Sequence, residues 1–504
     1  MSEPVVHITN LNLWYRQKAV LQDLNWTINP SENWLVYGAS GSGKTTLAKA
    51  IAGLVRANGS ITLNFKPEAA QPPVVHYVAN WYQFKDLEGQ SNFYYQQRYN
   101  KQAVEVTATV RAELESYGKK HGLNFGIAER IMSDLGFAAL IDSTLIQLSS
   151  GEHKKLQLVK ALWLNPQLLI LDQPYNGLDT RSRENLNTLL DELAEQGMQL
   201  ILIANDLEIP ACIDRLAEIR EGKLVEISAS DRMTDFFTEE TVPPVPAFLR
   251  EHPAAAASEL VVKMIGINVS YGEKQVLRNV DWEVRSGEKW LLQGHNGSGK
   301  STLLSLICGD HPQAYSNNFY LFGNKRGSGE SIWEIKARIG LISPELHWYF
   351  DPSATVWQSI ASGFYDSSGL FCEPGSTKHA QADELVSYFG LEEYKNVLMT
   401  ELPLGKQRLA LLARTIIKNP ELLILDEPCQ GLDLHQTRYF NMLVDELCKN
   451  GTTLIYVGHF DALVPSCIEK RILLENGAVK SIETMTEAVE TADNFENFEI
   501  LTKP

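Results

Sequence analysis

Two adjacent carboxylates, Asp426 and Glu427, close the apolar run Leu422-Leu423-Ile424-Leu425. Four consecutive apolar residues suit a strand buried on both faces of a parallel sheet, and open α/β sheets bind ligands at the carboxyl ends of such strands. Beside a phosphate-binding loop, the first carboxylate would reach Mg²⁺ through water. The second would orient or deprotonate the water that attacks a terminal phosphate. The same run recurs as Leu168-Leu169-Ile170-Leu171, followed by Asp172 and Gln173. An amide accepts no proton at neutral pH, so this copy keeps the position and loses the chemistry.

The phosphate-binding loops are present, also twice. Gly38-Ala39-Ser40-Gly41-Ser42-Gly43-Lys44-Thr45-Thr46 and Gly294-His295-Asn296-Gly297-Ser298-Gly299-Lys300-Ser301-Thr302 each follow an apolar strand pattern and open a helical one. Glycines let backbone N–H groups curl around phosphate oxygens, and the helix N-terminus adds a favourable dipole. Lys44 and Lys300 would neutralise charge on the terminal phosphates, and the hydroxyls of Thr45 and Ser301 would coordinate Mg²⁺.

Other candidates repeat with differences. Leu148-Ser149-Ser150-Gly151-Glu152 has the form of a capped helix start, Ser149 with Glu152 three residues on. Its counterpart is Leu402-Pro403-Leu404-Gly405-Lys406, where Pro403 supplies neither hydroxyl nor N–H. A later β-rich run ends at Asn205 in one half and at His459 in the other. A strand-end histidine is usually structural, yet His459 also stands where a γ-phosphate sensor is expected. Tyr15 and Tyr271 precede Val20-Leu21 and Val276-Leu277, and either tyrosine suits stacking on adenine or plain strand-surface packing.

These residues need elements to hold them, and the elements also come twice. Lys44 to Lys300 and Asp172 to Asp426 are offset by almost the same interval, which indicates a tandem duplication of roughly 250-residue domains. Each half reads as β-rich, then strand–loop–helix, then helical, then strand and a Gly-Leu-Asp turn (Gly177-Leu178-Asp179; Gly431-Leu432-Asp433). Pro- and Ala-rich sequence around Pro243 to Ala257 places a linker at 241–258, between domains at 1–240 and 259–504. The expected class is α/β with two tandem P-loop NTPase domains.

Composition excludes several alternatives. A net charge of −17 argues against a broad nucleic-acid-binding surface. Six scattered cysteines form no metal-binding spacing and suit a reducing cytosol. The N-terminus has no signal-peptide pattern, and no apolar run approaches the ~18 residues of a membrane span.

The order of P-loop, Leu-Ser-x-Gly-x, strand with terminal Asp, Gly-Leu-Asp and final His resembles ATP-binding-cassette nucleotide-binding domains across both halves. The resemblance implies ATP and Mg²⁺ as ligands, ATP hydrolysis, and in each half a mainly parallel sheet, an antiparallel β part and a helical subdomain. It implies intramolecular head-to-tail pairing of the cassettes. Lys44, Thr45, Asp172, Gln173 and Asn205 would then share a site with Pro403, Leu404 and Gly405. Lys300, Ser301, Asp426, Glu427 and His459 would share the other with Ser149, Ser150 and Gly151. Every lost group falls in the first site, so the second, with Glu427, His459 and Lys300, is the expected catalytic one. An integral membrane transport subunit is the implied partner, with a cytoplasmic location peripheral to the inner membrane face. Against conventional coupling, the family's loop glutamine aligns with Asn80 and Pro344, although Gln83 and Glu345 are near.

Within the family the resemblance is to twin cassettes assigned to molybdenum transport. It rests on Gly309-Asp310-His311-Pro312-Gln313-Ala314-Tyr315-Ser316-Asn317, with Leu321-Phe322-Gly323 and the run from Gly327 to Lys336. No step of hydrolysis requires these residues. The aromatic segment Trp81 to Tyr99, with Arg98 and Lys101 nearby, suits helical-subdomain packing, partner docking or base stacking.

Overall fold

The structure, a computed structural model, describes residues 3–15, 18–39, 41–65, 75–79, 108–145, 148, 150–175, 178, 180–204, 209–227, 242–250, 260–271, 274–343, 351, 353–367, 369–458 and 463–485. The first half runs β1 (Val6–Tyr15), β2 (Lys18–Ile28), β3 (Trp34–Tyr37), α1 (Lys44–Ile51), β4 (Asn58–Leu63) and β5 (Val75–Val78). It continues through α2 (Val110–His121), α3 (Phe125–Asp134), α4 (Ser150–Leu164), β6 (Leu168–Asp172), α5 (Thr180–Glu195), β7 (Gln199–Ile203), β8 (Arg215–Arg220) and β9 (Lys223–Ile227).

The second half begins β10 (Leu260–Tyr271), β11 (Lys274–Arg285), β12 (Lys289–Gly294), α6 (Lys300–Ile307), β13 (Asn318–Leu321), β14 (Asn324–Lys325), α7 (Ile332–Arg338) and β15 (Ile339–Ile342). Helices α8 (Val356–Ala361), α9 (Ser376–Tyr388) and α10 (Leu404–Ile416) follow. The chain then forms β16 (Leu422–Asp426), α11 (Leu434–Cys448), β17 (Thr453–Val457), β18 (Lys470–Glu475) and β19 (Ala478–Thr484).

These elements pack as two compact units. Unit one holds residues 1–243 together with 343–417 and 428–440, and unit two holds 244–342, 418–427 and 441–504. The helices α8, α9 and α10 of the second half therefore belong to the same unit as the whole first half.

In unit one a six-stranded sheet has the order β5-β6-β7-β3-β8-β9, parallel except for β9. All five residues of β6 are buried, which is why this strand reads as an unbroken apolar run instead of alternating. The three-stranded antiparallel sheet β2-β1-β4 alternates, with Leu21, Leu24, Trp26 and Ile28 buried and polar neighbours outside. Trp26 meets Trp34 edge-on at 5.2 Å and joins the two sheets.

Unit two repeats the plan, with sheets β15-β16-β17-β12-β18-β19 and β11-β10-β13-β14. Its inter-sheet pair is Trp282 and Trp290, at 5.6 Å. Each buried leucine in these strands contributes about 1.5–3 kcal/mol relative to exposure. The parallel core is thus the rigid part from which the loops at its carboxyl edge project.

Two helix contacts matter for what those loops carry. Trp163 of α4 donates to Asn124 O (2.9 Å), and its ring covers Gly118 so closely that a Cβ there would sit 2.5 Å from Cη2. In the α8–α10 group a Cβ on Gly363 would sit 2.0 Å from Arg414 O. Among the described residues no helix is long and apolar enough to cross a membrane.

Candidate functional site

The loop after β3 folds back on its own lysine. Lys44 Nζ donates to Gly38 O (2.6 Å) and Ala39 O (2.8 Å), inside a loop where Gly38, Gly41 and Gly43 all have positive φ. A side chain at Gly38 would strike Ile219 O at 2.6 Å, so only glycine lets the loop pass this close to β8. Burial pulls the Lys44 ammonium down to about 8, against the pull of Asp433, Asp172 and Glu218. Thr45 Oγ1 donates to Asp172 Oδ2 at 2.8 Å, and Tyr77 Oη donates to the same oxygen at 2.9 Å.

Opposite this loop, unit one places the start of α10. A Cβ on Gly41 would lie 3.4 Å from the Pro403 side chain. The cleft beside them, of about 550 Å³, is lined by Pro403, Gly405, Lys406, His435 and Gln436. Gly405 is packed against the Gln436 amide, where a Cβ would approach to 2.7 Å. Of the residues expected to complete the first site, Pro403 stands beside Gly41 and Gly405 lines the same cleft. Proline opens the helix here with no side-chain cap.

The loop after β12 has the same construction. Lys300 Nζ donates to Gly294 O (2.6 Å) and His295 O (3.2 Å), and Gly294, Gly297 and Gly299 have positive φ. Leu277 of β11 limits Gly299, where a Cβ would come within 2.7 Å of its Cδ2. Thr46 is buried in the first turn of α1, and Thr302 occupies the same place in α6.

Gln173 and Glu427 have the same backbone. Both take the left-handed conformation, φ +49° and +46°, and each N–H donates to the end of the neighbouring strand: Ile203 O at 2.8 Å and Val457 O at 3.1 Å. Side chains rarely occupy this region without a compensating reason, and such positions cluster at functional sites. At this position one half carries an amide and the other a carboxylate.

The groups present fit a polyphosphate and a divalent cation. Ser42 Oγ and Ser298 Oγ are buried inside their loops without a hydrogen-bond partner, each beside the glycine at which its loop begins. Among the described residues no cluster of His, Cys, Asp and Glu could hold a metal alone. The Thr45 hydroxyl on the Asp172 carboxylate is a pair that suits a Mg²⁺ that keeps waters and shares its shell with phosphate.

Ser40, Ser149, Asn205 and His459 lie outside the described residues, as do Asn80, Gln83, Pro344, Glu345 and the aromatic segment from Trp81 to Tyr99. Of Tyr15 and Ser150 only the backbone is described, and Gly151 is buried in the first turn of α4. Tyr271 ends β10 with 38% of its surface exposed.

Three contributors escaped the sequence reading. Asp433 comes near Lys44 from the other half of the chain, and Tyr77 reaches Asp172 from β5. Lys154 is buried and donates to Ala79 O (3.0 Å) and Asp172 O (3.4 Å), tying α4 to the ends of β5 and β6. Its burial lowers it to about 7. The Gly-Leu-Asp turn was a visible signal for Asp433, whereas a lysine inside a helix pattern signals nothing by itself.

Comparison with known proteins assigns this arrangement. Residues 21–176 and 277–430 each match the family described as ABC transporter. The chain is 33% identical over 465 residues to the ABC transporter ATP-binding protein ModF of Escherichia coli (strain K12), covering 88% of this chain and 92% of that protein. It is 28% identical over 466 residues to an uncharacterized ABC transporter ATP-binding protein of Schizosaccharomyces pombe, covering 91% of this chain and 95% of that protein. Among solved structures, a dimeric ATP-binding cassette bound to ADP and Pi in a post-hydrolysis state is 25% identical, covering 45% of this chain and 99% of that chain, with a TM-score of 0.39. With a match in each half and a relative at this identity over most of both chains, the chain belongs to the ABC transporter family as a tandem ATPase of two cassettes.

Proposed function

We propose that the two cassettes divide the work: the P-loop at Lys44 holds ATP, and the P-loop at Lys300 turns it over. The observation that carries this reading is the shared backbone of Gln173 and Glu427, which isolates the side chain as the difference. Glu427 would accept the proton of the attacking water; Gln173 cannot. Pro403 beside Gly41 removes a hydroxyl and an N–H from the same half-site. Bound Mg²⁺ would neutralise phosphate charge, held by Thr45 and Asp172 in one site and by Ser301 and Asp426 in the other. Tyr15 and Tyr271 would stack on the adenines, and His459 would meet the γ-phosphate. ATP would draw the halves together, Ser149 to Gly151 completing the Lys300 site, and hydrolysis would release them.

The biological reading we favour is the energy-coupling subunit of a membrane transporter, at the cytoplasmic face, with molybdate as candidate cargo. Its support is that the relatives in both organisms are named as ABC transporter ATP-binding proteins. The second reading, a regulatory or mechanochemical ATPase without a transport partner, draws on Asn80 and Pro344 in place of the loop glutamines. Kinetics test the division of work. Lys300→Ala should lower kcat by about 10²-fold or more. Lys44→Ala should leave kcat within about tenfold and weaken ATP-dependent closure instead. Equal loss in both variants would refute the asymmetric assignment.

A further inference from the structure

The stretch Gly309 to Asn317 has no part in hydrolysis, yet its side chains converge on one short piece of backbone. β10 pairs with β13 only from Val262 to Ile265, where the ladder stops at Asn318. Beyond that point two side-chain amides continue it. Asn317 accepts from Asn268 N (2.9 Å) and donates to Asn268 O (2.9 Å). Gln313 accepts from Ser270 N (3.2 Å) and donates to Ser270 O (2.7 Å). Residues 268 and 270 are two apart and so present their polar groups on the same strand edge.

The next residue is Tyr271, whose Oη lies 2.8 Å from His311 Nε2. His311 is buried, and its Nδ1 accepts from Gln313 N (3.2 Å), so in the neutral ring Nε2 carries the proton and donates to the tyrosine. Burial lowers this imidazole to about 4, which keeps it neutral at working pH.

The clamp is itself braced by the run from Gly327 to Lys336. Asp310 pairs with Lys336 at 2.8 Å, and Arg326 lies over the Tyr315 ring at 5.1 Å. Gly309, at φ +78°, allows Ile332 to pack where a Cβ would come within 2.5 Å. The first half is built differently among its described residues. There Val55 and Ala57 take the places of His311 and Gln313, and the backbone ladder itself runs on to Asn12 and Asn58.

We propose that His311, Gln313 and Asn317 are positioning residues for nucleobase binding at the Lys300 P-loop, holding Tyr271 as a fixed stacking surface. The inference rests on the reading of Tyr271 as the adenine platform. Its hairpin leans on the loop through Leu277 at Gly299.

Full-length protein carrying Lys44→Ala isolates this site for titration with Mg²⁺ and either ATP or base-free tripolyphosphate. Tyr271→Ala should weaken ATP about tenfold and leave tripolyphosphate unchanged. Gln313→Ala and Asn317→Ala should each weaken ATP about 3- to 10-fold, spare tripolyphosphate, and add nothing in the Tyr271→Ala background. Tyr271→Phe keeps the ring, loses the His311 bond, and should cost about threefold.

If Tyr271→Ala weakens ATP while the amide variants bind as the parent does, the clamp is wrong and the stacking stands. If Tyr271→Ala binds ATP normally, the stacking reading itself fails and takes the clamp with it. Parallel loss of tripolyphosphate in the amide variants would reduce the clamp to a structural brace. Should those variants not fold, Tyr271→Phe decides, and unchanged ATP affinity there overturns the proposal.

Discussion

A carboxylate and an amide at matched left-handed positions set two side-chain chemistries against each other. Glu427→Gln should reproduce the Gln173 condition in the second cassette and reduce steady-state ATP turnover about 10²–10⁴-fold, with nucleotide affinity retained. His311 supports a different test at this scale. Its folded value near 4 lies below the ordinary histidine range, so the unfolded chain takes up a proton first as pH falls. Among the described residues, the groups bonded to its ring include Tyr271 Oη and Gln313 N, which carry no charge in this range, and burial is what lowers it. Its stabilising effect is therefore complete above pH ~6.5 and is lost progressively as pH falls toward 4. The denaturant midpoint of the protein should drop over that window by more than that of His311→Gln; parallel curves would show that the histidine is not the source.

Elements act here through close approach. Gly363 lies under Arg414 O, where a methyl group would meet backbone at 2.0 Å, and Ile417 stands at 2.8 Å on another side. Neither neighbour is the free end of a flexible chain. Gly363→Ala should therefore destabilise unit one by about 1–3 kcal/mol, read from denaturant unfolding, because the α8–α10 group must shift to admit it. Gly118→Ala, against the Trp163 ring, should lower stability in the same way. An unaltered midpoint for both would mean that these helices yield more readily than their packing indicates.

At the scale of the molecule, the question is what ATP turnover drives. Glu427→Gln protein, charged with ATP and fractionated from its own cells, separates the two biological readings. Recovery in membranes with a polytopic partner identifies a transport subunit and its cargo route. Recovery away from membranes, alone or with a non-membrane partner, sinks the transport reading. The grouping of residues 343–417 with the first half gives the Lys44 loop its facing residues within one compact unit.

The amino-acid sequence by itself determined the repeat, the two P-loops, the strand-end carboxylates and the amide that breaks their symmetry. These depend on residue type at short spacing, and glycine, lysine and aspartate have few substitutes in phosphate and metal chemistry. It also carried the marks from Gly309 to Lys336 without a reason for them. Only the tertiary structure showed that Gln313 and Asn317 extend a strand edge to Tyr271, because a side-chain amide standing in for a β-ladder leaves no periodic trace. Only packing brought Asp433 toward Lys44 and Lys154 onto Asp172. Electrostatic partners are chosen by distance in space, and distance along the chain does not encode it.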